Sequence, residues 1–319
     1  MSIASFGEPP LVAVVGPTAV GKTDVGLALA EWLYGEIISA DAVAVYRGLG
    51  IGAAKPTSAE RARVPFHLLD VADPDEDFNV ADFERLANAA IADIRARGRT
   101  PILVGGTGLY VRAVTAVLSL PHVPPQPDVR ARLYAEAEAS GTPILHARLV
   151  DVDPASAAKI NQNDLKRIVR ALEVYTVSGK ALSSFHTPEG VHGKPRPNTF
   201  VFGLDRVPRE ALYERIERRV DAMMAAGFED EVRGLLAAGY PAGLKSLQSL
   251  GYRHLAAFLA GTIDRDTAVA ELKRDTRRYA KRQLSWFRGD PRVTWLTTSA
   301  VTTPAQAAKQ IAGRINEAA

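Results

Sequence analysis

The sequence predicts an α/β protein: a doubly wound, mostly parallel sheet with a small helical domain inserted into it. Three observations carry this. Strands and helices alternate over roughly the first third of the chain, as parallel sheets with crossover helices require. A proline-rich joint at Leu120-Pro121-His122-Val123-Pro124-Pro125-Gln126-Pro127 then opens a stretch with helical periodicity and no convincing strand. After a second, looser joint over Ser183 to Asn198, Thr199-Phe200-Val201-Phe202-Gly203-Leu204 reads as a strand returning to the sheet. The expected division is 1–119 with 200–319 as the core and 120–199 as the insertion.

The first element is Leu11-Val12-Ala13-Val14-Val15, a continuous apolar run of the kind buried on both faces of a sheet. It leads into Gly16-Pro17-Thr18-Ala19-Val20-Gly21-Lys22-Thr23, which matches the phosphate-loop pattern of two glycines followed by Lys and Thr. Behind it Val25, Ala28, Leu29, Trp32 and Leu33 recur at helical spacing, with Gly35 where the helix should stop. Strand, glycine loop and helix together aim backbone N–H groups and a helix N-terminus at one anion. The core is therefore expected to be P-loop NTPase-like, with Lys22 neutralising a phosphate and Thr23 holding a magnesium ion. The loop does not say which polyphosphate binds, nor what is done to it.

Glu36 to Asp41 reads as a second strand ending in a carboxylate, and strand ends in such sheets face the ligand crevice. Gly48, Gly50 and Gly52 punctuate the loop that follows, up to Lys55-Pro56. Phe66 to Val71 is a further candidate strand. Asn79 caps an amphipathic helix carrying Phe83, Leu86, Ala87, Ala90, Ile91 and Ile94, which ends at Gly98. Thr100 to Val104 is a buried strand running into Gly105-Gly106-Thr107-Gly108, a second glycine turn, before a helix over Leu109 to Leu118. In the insertion, the best helix runs from Asn163 or Asp164 to Ser178, burying Leu165, Ile168, Val169 and Leu172. Its other face presents Lys166, Arg167 and Arg170, a basic patch or a solvated face. The last third is helical. Pro208 to Ala226 carries Arg215, Arg218 and Arg219, and Ser246 to Arg253 is a short turn. Ala268 to Phe287 sets Arg274, Arg277, Arg278 and Lys281 in a stripe suited to a nucleic-acid backbone or to pairing with acidic neighbours. Arg292 to Leu296 adds an edge strand, and a final helix follows Thr303.

Composition narrows the function classes. At 319 residues and 47% hydrophobic content the chain can bury a large core. It has no cysteine, which excludes disulfides, thiolate metal sites and cysteine nucleophiles. The six histidines (His67, His122, His146, His186, His192 and His254) show no paired ligand spacing, so a zinc site is not expected. No secretory signal and no apolar run of ~18–20 residues is evident, so a cytoplasmic protein with no membrane partner is expected. The net charge is +3 and the pI about 9.1, so placement of the basic residues matters more than their sum.

Seven ordered blocks together resemble the bacterial-type tRNA dimethylallyltransferase (tRNA isopentenyltransferase) family. They are residues 16–23, 38–56, 66–71, 102–110, 163–180, 250–253 and 280–289, and they span nearly the whole chain. The resemblance implies transfer of a dimethylallyl group from dimethylallyl diphosphate to the N6 amine of adenosine at tRNA position 37. That nucleotide lies next to the anticodon of tRNAs reading codons that begin with U, and Mg2+ assists. It further implies that Thr18 to Thr23 hold the diphosphate, that Asp41 is the general base, and that Arg219 faces the diphosphate. Thr18 joins them as a catalytic candidate. Asp41, Ala42, Val43, Ala44 and Thr107 would meet the target nucleotide. Arg130, Lys166, Arg167, Ile168, Val169, Arg170 and the turn Gln248, Ser249, Leu250, Gly251, Tyr252 and Arg253 would grip the anticodon stem-loop. A monomer is expected. The family commonly has Ser and Gln where this chain has Ala42 and Ala44, and Thr in place of Ala53, which puts side-chain recognition of the adenine edge in doubt. The phosphate loop by itself also suits a small-molecule kinase or ATPase, a transferase acting on free adenine nucleotides, or a nucleotide-switched RNA-binding protein.

Overall fold

The computed structural model describes residues 7–117, 123–185, 193–299 and 302–318. Its strands are β1 (Leu11–Val15), β2 (Gly35–Ala40), β3 (Phe66–His67), β4 (Thr100–Gly105), β5 (Ala116–Val117), β6 (Lys194–Pro195), β7 (Thr199–Arg206) and β8 (Val293–Thr298). Six of them form one sheet in the order β3-β2-β4-β1-β7-β8. Each of its pairings is parallel. The chain divides into two compact units, Met1–Ala116 with Pro195–Ala319, and Val117–Lys194. Leu118 to His122 and His186 to His192, which include parts of both expected joints, lie outside the described residues.

In the larger unit, β1 shows why the sheet is covered on both faces. Side chains alternate along a strand, so Leu11, Ala13 and Val15 join one core while Val12 and Val14 join the other. The first core is filled from α3 (Val80–Ala96), α4 (Gly108–Thr115), α10 (Phe228–Ala237), α11 (Tyr252–Leu259) and α12 (Arg265–Arg288). The second is filled mainly from α1 (Lys22–Leu33), α9 (Arg209–Ala225) and α13 (Pro304–Glu317). A short helix, α2 (Ser58–Arg63), precedes β3. The expected cap of α3 is present: Asn79 accepts from the Ala81 amide at 2.8 Å, and Asp82 accepts from the Asn79 amide in return.

Three local expectations change. Helix α1 stops with Tyr34, not Gly35, in the left-handed conformation, and Gly35 opens β2. The strand expected over Phe66 to Val71 keeps only Phe66 and His67. Leu68 and Asp70 have φ of 61° and 57°, which breaks the extended ladder, and Asp70 instead binds Lys55 at 2.6 Å. The helix after Thr107 ends at Thr115, short of the expected Leu118.

The smaller unit packs α5 (Pro127–Ser140), α6 (Thr142–Val152), α7 (Pro154–Ala157) and α8 (Leu165–Ser178) around Leu133, Leu145, Leu149, Ile168, Val169 and Leu172. Asp164 caps α8. Glu173, on the same helix, is fully buried. It accepts from the Gln126 amide at 2.7 Å, Arg130 at 2.8 Å and Arg170 at 2.6 Å. Burial pushes the Glu173 carboxyl up, but these partners outweigh it and hold the group below the usual carboxylate range. Among the described residues no helix is long and apolar enough to cross a membrane.

Arg170→Ala should destabilise the smaller unit, because Glu173 loses one of its charge-assisted hydrogen bonds. The expected cost is about 1–3 kcal/mol, read as a lowered urea midpoint of the full chain by far-UV circular dichroism. An unchanged midpoint would show the pair to be dispensable.

Candidate active site

Strand register assembles the site. Val15 of β1 and Ala40 of β2 both pair with Gly105 of β4. The chain therefore leaves three adjacent strands side by side, at Gly16, Asp41 and Gly106, with neighbouring strands ~4.8 Å apart. The phosphate loop starts at Gly16, where φ is +138° and a Cβ would sit 2.5 Å from the Leu204 carbonyl oxygen on β7. Only glycine lets the loop turn so close to its neighbour. Within the loop Lys22 Nζ donates to the Pro17 carbonyl at 2.8 Å, and Arg215 Nε of α9 donates to the Ala19 carbonyl at 2.9 Å.

The Asp41 turn is held from two directions. Asp41 Oδ1 accepts from the Val43 amide at 2.8 Å and the Ala44 amide at 3.1 Å, while Thr107 Oγ1 accepts from the Ala42 amide at 3.0 Å. The second carboxylate oxygen of Asp41 makes no hydrogen bond among the described residues. Thr107 is set in turn by its own amide, which donates to the Ala40 carbonyl at 3.1 Å.

Two adjoining cavities meet at this point. The first, about 550 Å³, is lined by Thr18, Gly21, Lys22, Thr23, Lys55, Arg215, Arg218, Arg219 and Asp41 among others. The second, about 330 Å³, is lined by Val43, Val220, Met223, Phe228, Leu250 and Leu272, with Thr107, Gln248, Ser249 and Arg253 at its polar parts. Thr18, Asp41, Ala53, Arg219 and Tyr279 belong to both walls. One compartment is cationic, the other mostly apolar, and a carboxylate stands between them.

Charge in the first cavity is unbalanced. Lys22, Arg215, Arg218 and Arg219 make no ion pair with a carboxylate among the described residues. Burial pulls the Lys22 ammonium down to about 7, Arg219 adds to the shift, and Asp41 opposes it. The Arg219 guanidinium is lowered in the same way by burial, against the pull of Asp41. Such a cluster is stabilised by an anion that restores neutrality. Burial also pushes the Tyr279 phenol up to about 12, so it remains a hydrogen-bond donor between the two cavities.

A family model described as IPP transferase matches residues 44–290. A tRNA dimethylallyltransferase of Roseiflexus sp. (strain RS-1) is 50% identical over 299 residues, covering 94% of this chain and 96% of the relative. The enzyme of the same name from Symbiobacterium thermophilum is 49% identical over 308 residues, covering 97% and 95%. The chain belongs to the tRNA dimethylallyltransferase family. A solved tRNA isopentenylpyrophosphate transferase from Bacillus halodurans superposes with a TM-score of 0.72 at 42% identity, over 97% of this chain and 98% of that one. A eukaryotic dimethylallyltransferase described as acting on tRNA gives 0.79 at 27% identity, over 95% and 77%.

Against this family background the expected residues fall into three groups. Thr18, Ala19, Gly21, Lys22, Thr23, Asp41, Ala44 and Arg219 line the first cavity; Ala42, Val43, Thr107, Gln248, Ser249, Leu250 and Arg253 line the second. A second group sits behind these walls. Gly16 shapes the loop, Pro17 binds Lys22, and the Val20 side chain is buried while its amide turns back to the Pro17 carbonyl at 3.4 Å. Gly251 and Tyr252 are likewise behind the wall, with the Tyr252 hydroxyl donating to Glu231 at 2.6 Å. The third group belongs to the helical unit. Lys166 and Arg167 are exposed. Arg130 and Arg170 are tied to Glu173, and Ile168 and Val169 are core residues whose side chains no partner can reach. Ile168 and Val169 therefore lie on the face that α8 buries, whereas Arg130 and Arg170 keep about a third of their side chains exposed. The cationic stripe of α12 is also largely engaged: Arg274 pairs with Glu271 and Asp275, Arg277 with Glu217, and Arg278 with Asp275.

Several site residues escape a sequence reading. Tyr279 lies outside the motif blocks, and Gln283 and Lys55 lie within them without an expected role, yet all three line the first cavity. Glu231 accepts from the amides of Gly50, Ile51 and Gly52 at 3.0, 2.7 and 3.2 Å, so it organises the loop that carries Ala53. The spacing of Arg215, Arg218 and Arg219 on one helix was the available signal for a shared anion.

Bound anion should raise the Lys22 pKa from about 7. Below that value the ammonium is already charged and binding draws no proton through it. Above it, binding must take up a proton, so affinity falls as pH rises. Calorimetry with inorganic diphosphate at pH 8 in buffers of different ionisation enthalpy should show more proton uptake for the wild type than for Lys22→Arg, and no difference at pH 6. Equal uptake at pH 8 would contradict the assignment.

Proposed function

We propose that this chain transfers the dimethylallyl group of dimethylallyl diphosphate to the N6 amine of adenosine 37 in tRNA, releasing diphosphate. The observation that carries this reading is the meeting of a cationic and an apolar cavity at Asp41, Thr18 and Arg219. Loop amides, Lys22, Arg215 and Arg219 hold the diphosphate and take up the charge that develops on it as the allylic C–O bond breaks. The new C–N bond forms at the exocyclic amine, and Asp41 accepts the proton that the amine loses. The adenine reaches this carboxylate only when turned out of the anticodon loop, from the side lined by Gln248 to Leu250 and Arg253. Tyr279 and Thr107 are placed to orient it.

Magnesium fits the donor set at the phosphate end. No group of three His, Cys, Asp or Glu residues forms a metal cage among the described residues, and a hard cation carried on a diphosphate needs only one or two protein oxygens. Thr23 is the residue that would hold it, and the ion would supply further charge neutralisation to the leaving diphosphate. On the helical unit, Lys166 and Arg167 are the residues we assign to the RNA backbone.

Incubation with labelled dimethylallyl diphosphate and unmodified tRNA, without ATP, tests the reading. Label should enter the RNA; consumption of ATP with a small-molecule acceptor, or label in free adenine nucleotides, would replace it. Asp41→Asn retains an oxygen that can cap the Val43 and Ala44 amides. It should keep tRNA binding and lose about 10²–10⁴-fold in turnover, and wild-type turnover would remove Asp41 as the base. Lys166→Ala with Arg167→Ala should flatten the salt dependence of tRNA binding by about 0.7–0.9 per lost phosphate contact. An unchanged slope would return that face to solvent.

A further inference from the structure

Gln283 stands on α12, far in sequence from the phosphate loop and the Asp41 turn, yet it is only 6% exposed and lines the cationic cavity. Its Oε1 accepts from the Thr18 amide in the phosphate loop at 2.8 Å. Its Nε2 donates to the Gly106 carbonyl in the second glycine turn at 3.0 Å. A donor on one side and an acceptor on the other leave a single orientation for the amide. At Gly106 a Cβ would overlap Gln283 Nε2, so the turn is shaped around this side chain. The next residue, Thr107, holds the Ala42 amide beside Asp41.

We propose that Gln283 is a positioning residue for the transfer: it fixes the spacing between the phosphate loop and the Asp41–Thr107 turn. This rests on the reading that the leaving diphosphate lies at the loop and the acceptor amine at Asp41. The Thr18 amide is already committed to Gln283, so diphosphate is received by the remaining loop donors while Thr18 itself is pinned where the two cavities join. One side chain thus ties the departing group's cradle to the base. Reacting atoms must be held near contact distance, and a displacement of about 1 Å costs on the order of 100-fold.

Two variants separate positioning from general support. Gln283→Met is matched in size but lacks both polar ends. Gln283→Glu, beside Lys22 and Arg219, is a carboxylate that can accept from Thr18 but has no proton to give to Gly106. Both should lower kcat for transfer from dimethylallyl diphosphate by about 10–100-fold, with a smaller change in KM, while melting within a few degrees of wild type. Affinity of Gln283→Met for inorganic diphosphate, measured by calorimetry, should also fall. Wild-type kcat in Gln283→Met, or a loss confined to KM, would overturn the proposal. Absence of transfer by the wild type would instead remove the functional reading. In that case the diphosphate titrations still judge Gln283: unchanged affinity in Gln283→Met counts against it, and weakened affinity supports it.

Discussion

The structure depends on the register of three parallel strands. With β4 between β1 and β2, and Gly105 facing both Val15 and Ala40, the phosphate loop, the second glycine turn and Asp41 emerge on one edge of the sheet. Among the described residues, this register brings the loop at Gly16 beside the turn at Asp41. A one-residue slip of any of the three would also turn its buried face outward. Register is therefore defended by the two hydrophobic cores, and the chemistry inherits the precision of the packing.

Charge is the second organising term. The cationic cavity gathers Lys22, Arg215, Arg218 and Arg219 with no carboxylate paired to them, a costly arrangement in the free protein. The arginines elsewhere behave differently: those of the helical unit and of α12 are mostly held by Glu173, Glu217 and Asp275. The contrast separates cations that wait for a ligand from cations that brace the fold. A cationic residue count along a helix does not make that distinction, but the position of the nearest acid does.

Much of this was legible in the sequence where the signal was local. The strand–glycine loop–helix unit, the Asn79 cap, the strand ending at Asp41, and the return of Thr199 to the sheet all follow from short-range patterns. Boundaries failed where tertiary contacts decided them, as at Leu68 and Asp70, whose left-handed backbone serves the Lys55 ion pair. Long-range partners were invisible for a different reason. Gln283 meets Thr18 across 265 residues, and Glu231 meets Gly50 across 181; no periodicity encodes a contact of that kind. Ile168, Val169 and Val20 belong to stretches that the family resemblance assigns to the site, while their side chains face the cores.

The split between a charged and an apolar compartment has a consequence for how donor choice can drift. On the proposed assignment, phosphate recognition resides in backbone amides and clustered cations that any polyphosphate would satisfy. Discrimination among hydrocarbon tails would then fall to walls such as Val43, Val220, Met223 and Leu272, whose volumes can be exchanged one methyl at a time. A lineage could lengthen or shorten the group it attaches without disturbing the machinery that cleaves it.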